Sequence, residues 1–337
     1  MDGLDWIILS AKIGFVLAIT INVVPIMVWV ERRGGALMQK RLGPNRIGPL
    51  GLLQSLVDVV KLLLKEDRAP GHVNKFFYYA APAAAVVPAF MTFAVIPFGG
   101  SFEAFGKTIH LQITDLDVGL LYVLSVASLG VYGIIMGSWA SNSKYSLLGG
   151  VRSTAQMISY ELSMGLSVIG IVLVSSSVKL GDIVQTQGQA LLELGPLVIP
   201  KWGIFVQPLG FLIFLTAAFA ETNRLPFDLP EGESEIVAGY HLEFGSMRFA
   251  LFFMAEYMNM LTASGMVTSL FLGGWQLFPG MEMLLGWVPG DWQTFARAAL
   301  QVSSFYLKVA FLMWFFVWVR WTLPRFRYDQ LMDIGWK

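Results

Sequence analysis

Glu256 lies inside FALFFMAEYMNMLTASGM, an apolar run, with Asn259 one helical turn further along the same face. A carboxylate at that depth of a membrane costs about 2.5–3.5 kcal/mol and is retained where it is paired or where it handles protons. Glu161, in QMISYELSMG, begins a second apolar stretch beside Gln156, Tyr160 and Ser163, and Glu221 closes a third. Lys308 falls near the middle of the last apolar run, too deep for its ammonium to snorkel easily to water, so it needs an acid or a wet cavity. Three acids and one base on four apolar stretches point to a buried polar pathway. Proton relays use such groups because burial and neighbouring charge pull their pKa values towards neutrality.

The segment from Glu221 to Glu235 reads ETNRLPFDLPEGESE. Between Arg224 and Arg248 stand five acids, Asp228, Glu231, Glu233, Glu235 and Glu243, and no Lys or Arg. Like charges raise one another's pKa, so the cluster is suited to holding protons or meeting cations. Pro230 and Gly232 oppose a regular helix. An extended backbone would send Glu231, Glu233 and Glu235 to one side. Leu225, Pro226, Phe227, Leu229 and Ile236, embedded among the acids, argue against a fully solvated loop.

These groups need a membrane bundle to position them. Hydrophobic residues make up 55% of the 337, charged ones 14%, and the mean hydropathy is +0.63. Runs of about 20 apolar residues suffice to span a bilayer. Seven are read here: Trp6–Val30, Phe76–Phe98, Asp117–Trp139, Ala155–Ser175, Gly203–Ala220, Phe249–Leu272 and Arg297–Arg320. The expected fold is an all-α polytopic membrane protein, one integral domain over 1–337. Asp2 and Asp5, with no early Lys or Arg, do not form the positive start of a signal peptide, so the first span is expected to be retained.

The loop 31–75 carries nine Lys and Arg, and the loops on its side add Lys144, Arg152, Arg224, Arg248, Arg325, Arg327 and Lys337. The opposite side has Lys107, Lys179 and Lys201. The basic side is therefore expected to be cytoplasmic, and the acidic loop 221–248 falls on it. Within 31–75, GLLQSLVDVVKLLLKED has Gln54, Asp58, Lys61 and Lys65 on one narrow polar stripe. An amphipathic helix lying along the membrane surface fits this pattern, either as an anchor or with its apolar face roofing a lipid-like ligand. No internal repeat is visible, which weakens a secondary-transporter reading.

The chain has no cysteine, which removes disulfides, thiolate iron–sulfur ligation and Cys-based zinc sites. His72, His110 and His241 lie outside the apolar runs, so haem ligation between spans is unsupported. A net charge of +0 gives no bulk attraction to nucleic acid. Phosphate-binding glycine loops, zinc helices and nucleophile elbows are absent from the sequence.

ERRGGALMQKRLGPNRIGPLGLLQSLVDVVKLLLKE, VRSTAQMISYE, AETNRLPFDLPEGESEIVAGYHLEF, FMAEY and WTLPRFRYDQLMDIGWK follow one another in this chain. In that order they resemble the family of H-type membrane subunits of the proton-pumping NADH–quinone oxidoreductases (respiratory complex I), with its mitochondrial counterparts. The resemblance runs from the first span to Lys337. It implies a bacterial cytoplasmic (inner) membrane protein that carries no redox centre. Iron–sulfur clusters and FMN are expected on partner subunits, and ubiquinone or menaquinone is the expected substrate. The implied partners are the peripheral quinone-site and iron–sulfur subunits, the small membrane subunits and the antiporter-like subunits.

By the same resemblance, Glu31, Arg32, Arg41, Asp58 and Lys61 match the quinone entrance. Arg224, Phe227, Asp228, Glu231, Glu233 and Glu235 match the loop beside the quinone cavity, and Glu161, Glu221 and Glu256 match carboxylates leading away from it. Family members usually continue into an eighth span beyond the position of Lys337. Two other readings stand beside this one: the membrane anchor of a related hydrogenase, and a stand-alone cation or proton transporter.

Overall fold

The computed structural model describes residues 3–104, 106–194, 197–229, 232–278, 281, 285, 289 and 292–336. Glu231 and the Glu233 side chain lie outside the described residues. In chain order come α1 (Gly3–Met38), a 3-10 turn (Pro49–Gly51), α2 (Gln54–Leu64), α3 (Lys75–Thr92) and the hairpin of β1 (Ser101–Ala104) and β2 (Lys107–His110). Then follow α4 (Gly119–Ala140), α5 (Lys144–Ser175), α6 (Leu180–Gln187) and the hairpin of β3 (Ala190–Leu194) and β4 (Leu197–Pro200). The chain continues through α7 (Gly203–Val206), α8 (Pro208–Glu221), α9 (Glu233–Ile236), a 3-10 turn (Gly239–His241), α10 (Ser246–Phe271), α11 (Gln293–Thr322) and α12 (Tyr328–Trp336).

Six of the expected spans fall on α1, α3, α4, α5, α10 and α11, and Gly203–Ala220 is divided between α7 and α8 at Gln207. Four of them, α1, α4, α5 and α11, are long and apolar enough to cross a membrane, and α8 is a shorter apolar helix. The chain is a helical membrane protein. The two antiparallel hairpins among the described residues are additions that apolar periodicity does not signal.

Small residues let the helices approach closely, the usual device where lipid supplies no hydrophobic drive. A Cβ added to Gly133 on α4 would lie 2.6 Å from the Ala85 amide nitrogen of α3, so any side chain there would part the two helices. Gly137, one turn on, faces Ala81 and Phe252. The buried core joins residues of α1, α5, α8, α10 and α11, with Phe214, Leu270, Phe271 and Phe305 almost wholly enclosed.

Two helices start or end away from the hydropathy edges. α1 continues past its apolar run to Met38, so Glu31 and Arg32 lie on its last turns rather than at the start of a loop. α5 begins at Lys144, which brings Arg152 and Gln156 onto its early turns.

The bundle has two unlike ends. At one end are α6, both hairpins and residues 272–278; Gln187 ties α6 to the start of α7 and to Gly273, its Oε1 accepting the Gly203 and Gly273 amides at 3.1 and 2.9 Å. There Lys179 donates to Asp115 at 2.7 Å, and that hydrogen bond holds its ammonium above the usual lysine range. At the other end are α2, the acidic loop and α12. α12 is tied to α5 by Tyr160, whose hydroxyl donates to the Leu331 carbonyl at 2.8 Å, and by Ser163, which donates to the Gly335 carbonyl.

Candidate functional site

Glu31 is the hub. It is 7% exposed, on the last turns of α1, and three other elements converge on its carboxylate. The Tyr257 hydroxyl of α10 donates to Oε2 at 2.6 Å. Arg224, just after α8, donates from Nη1 at 3.2 and 3.4 Å. Arg320, near the end of α11, pairs with Oε1. A buried carboxylate needs this much compensation, because an unpaired buried charge is strongly destabilising.

Arg224 links this hub to the next acid. Its guanidinium lies over the Tyr257 ring, 4.3 Å from the centroid, and its Nη2 is 3.9 Å from Glu256 Oε2. Glu256 is 9% exposed on α10 and accepts the Tyr240 hydroxyl at 3.0 Å. Tyr240 itself is positioned by α5: Ser146 donates to its carbonyl at 3.0 Å. Gly149 leaves room for the same turn, since a Cβ there would lie 2.6 Å from the Gly239 Cα.

Beyond Glu256 lie two small cavities. One, of about 20 Å³, is lined by Glu256, Tyr240, Asn259, Glu221, Thr222 and Asn223, among others. The second, of about 30 Å³, shares Glu221, Thr222 and Asn259 and runs on towards Val123, Leu124 and Ala127 of α4. Each has room for about one or two waters. Glu161 on α5 accepts the hydroxyl of Ser128, the α4 residue after Ala127. Glu31, Arg224, Glu256 and Glu221 thus form a file of ionisable groups, the last two lining one cavity, and Glu161 follows across α4, bonded to the residue next to the wall of the second cavity.

Lys308 stands apart. Its ammonium donates to the Gly274 and Gln276 carbonyls at 2.9 and 2.8 Å, with the Trp202 and Phe278 rings 4.7 and 5.0 Å away. Those partners belong to the hairpin end. Arg320, about three turns further along α11, is the base of that helix that reaches Glu31.

The acidic loop is not extended. Glu233–Ile236 forms a helical turn, α9, and Gly239–His241 a 3-10 turn. Side chains from distant segments meet its acids. Arg152 of α5 meets Glu235 at 2.8 Å, and His72 Nε2 is 3.8 Å from Glu243. A Cβ on Gly232 would lie 3.0 Å from Arg325 Nη2, so the C-terminal segment also approaches the loop. Phe227 is buried, stacked at 5.6 Å on Phe326, and Asp228 is half-buried beside it. Gln156 of α5 fastens the start of the loop by donating to the Ala220 and Phe227 carbonyls at 2.7 and 2.9 Å.

At the surface, Asp58 of α2 pairs with Arg32 of α1 at 2.5 Å and accepts Gln54 at 3.2 Å. The Gln54–Asp58 part of the polar stripe of α2 therefore faces α1, while Leu56, Val60, Leu63 and Leu64 are exposed. Lys61 is exposed, and Arg41, also exposed, donates to Gln39. Tyr257, Arg320, Tyr240 and Ser128 join the site without having stood out in the sequence. The available signals were weak: Tyr257 adjoins Glu256 in FMAEY, and Arg320 is a base at the edge of an apolar run.

A family model described as NADH dehydrogenase matches residues 11–337. The H-type NADH-quinone oxidoreductase subunit of Thermomicrobium roseum is 48% identical over 99% of this chain and 93% of its own length. The H-type subunit numbered 2 in Geobacter sulfurreducens is 47% identical over 100% of this chain and 94% of its own length. The H-type subunit of Bdellovibrio bacteriovorus is 45% identical over 97% of this chain and 90% of its own length. With the match running almost from end to end, the chain belongs to the NADH dehydrogenase family, alongside proteins named as H-type subunits of NADH-quinone oxidoreductase.

Proposed function

We propose that this chain is the membrane subunit of an NADH–quinone oxidoreductase in which quinone reduction is coupled to proton translocation. The observation that carries the reading is the file from Glu31 through Arg224 and Glu256 to Glu221 and Glu161. The names of the relatives support a quinone-linked enzyme over a hydrogenase anchor or a stand-alone transporter.

Reducing a quinone to a quinol takes two electrons and two protons, and negative charge builds on the head group before the protons arrive. The electrons come from iron–sulfur clusters and FMN on peripheral partners. The quinone tail enters along the exposed apolar face of α2, past Arg32, Asp58, Lys61 and Arg41. The head group lies against the Phe227–Asp228 part of the acidic loop. Arg224, four residues before Asp228, responds to the new charge. It holds both Glu31 and Glu256, so a shift of its guanidinium towards the head group weakens its hold on Glu256. Glu256 then takes up a proton, and Glu221 and Glu161 hand protons onward towards small membrane and antiporter-like subunits. On this reading the acidic-loop end faces the cytoplasm, in agreement with the basic loops on that side.

The test is Glu256→Gln in the assembled complex, reconstituted in proteoliposomes. NADH oxidation by a water-soluble artificial acceptor should survive, while quinone-driven proton pumping is lost. A normal proton-to-electron ratio would remove Glu256 from the relay.

A further inference from the structure

The opposite end of α1 carries a cation that the relay does not use. Lys12 lies within the span, and among the described residues it has no ion pair or hydrogen bond. It lines an open pocket of about 230 Å³ between α1 and the β1–β2 hairpin, with Asp5, Lys107, Thr108 and His110. The apolar members of the wall are Ile8, Leu9, Ile109 and Ile113.

Lys107 meets Asp5 at 2.6 Å, so those two charges answer each other. Lys12 leaves the lining with one positive charge, and Thr108 and His110 offer further hydrogen-bond donors. Lys12 precedes Glu31 by 19 residues of the same helix, which is about 28 Å along the axis. That is close to the ~30 Å thickness of the hydrocarbon core. With Glu31 near one boundary, Lys12 falls just inside the other, from where its long side chain reaches the lipid phosphates. Trp6, 59% exposed one to two turns away, suits the same interfacial level. Ile7, Ile13 and Phe15 present apolar surface beside it, suited to acyl chains.

We propose that this pocket binds the phosphate head group of one anionic phospholipid in the leaflet at the hairpin end. A phosphodiester carries the single negative charge that Lys12 lacks as a partner, the polar lining fits its oxygens, and the four apolar residues receive the start of the acyl chains. A free phosphate would share the donor chemistry but leave the apolar wall unused.

The experiment titrates the delipidated, assembled complex with radiolabelled phosphatidylglycerol. The site is read as the difference between wild type and variants. Lys12→Gln should weaken binding about fivefold, as expected for the loss of one lysine facing an anionic lipid. Lys12→Arg should bind as wild type does, and phosphatidylcholine should not distinguish the proteins. Thr108→Glu, which sets a carboxylate in the same pocket without touching α1, should weaken binding as well. Should Lys12→Gln fail to assemble, Thr108→Glu decides alone. Equal phosphatidylglycerol affinity in wild type and the assembled variants would overturn the proposal. Competition by inorganic phosphate at millimolar concentration would also overturn it, by making the site one for the free ion.

Discussion

The Tyr257 hydroxyl donates to Glu31 Oε2 at 2.6 Å, joining α10 to α1 across 226 residues of sequence. With Arg224 and Arg320 on the same carboxylate, the contact makes Glu31 a structural junction as well as a charge. Glu31→Ala should therefore cost about 3–5 kcal/mol, the usual penalty for breaking a buried pair from one side. The expected outcome is a large fall in assembled complex, measured by blue-native electrophoresis. Tyr257→Phe removes one hydrogen bond to a charged group, about 1.5–3 kcal/mol, and should still assemble. Equal yields for the two variants would count against the junction.

Gly149 affects Glu256 through Tyr240. Gly149→Ala forces a Cβ onto the Gly239 backbone and should cost about 1–3 kcal/mol in overpacking. It should also move the Tyr240 hydroxyl away from Glu256. Tyr240→Phe should reproduce the fall in proton-to-electron ratio without the fall in thermal stability. A normal ratio in Tyr240→Phe would show that the hydrogen bond plays no part in coupling.

Asp58 sits in a surface pair with Arg32; their side chains are 24% and 50% exposed. Such pairs contribute about 0–1 kcal/mol. Asp58→Ala should leave the melting temperature nearly unchanged and alter the apparent KM for quinone or the sensitivity to quinone-site inhibitors. Unchanged quinone kinetics in the assembled variant would take Asp58 out of the entrance.

Lys308→Met should act on the hairpin end. It removes two hydrogen bonds to the Gly274 and Gln276 carbonyls and the contacts with Trp202 and Phe278. The expected result is faster proteolysis around residues 272–278 with an unchanged proton-to-electron ratio. A lowered ratio in stable complexes would return Lys308 to the relay.

The helices are legible in the sequence because apolar runs report burial in lipid directly. Glu161, Glu221 and Glu256 stand out because a charge at depth is expensive wherever the neighbours lie. The convergence on Glu31 is not legible. It joins α1, the end of α8, α10 and α11, and no periodicity links such distant positions. Hydropathy also places Glu31 in a loop, because ERR ends the apolar run while the helix itself continues on local hydrogen bonds to Met38. The polar stripe of α2 can be read from its spacing, but its partner Arg32 cannot. In the acidic loop the sequence displays the acids together and hides their partners, since Arg152 and His72 arrive from other segments. Lys308 is visible as a buried base, but its depth alone gives no sign that backbone carbonyls satisfy it.

The two cavities that meet at Glu221 have room for about one or two waters each. A sodium or potassium ion with its hydration shell does not fit in either. A proton crosses such a gap by exchanging bonds with a water and a carboxylate, without bringing a shell along. On the proposed relay the bundle would be insulated by size: the compartments beside Glu221 are too small to pass a hydrated cation along with the proton.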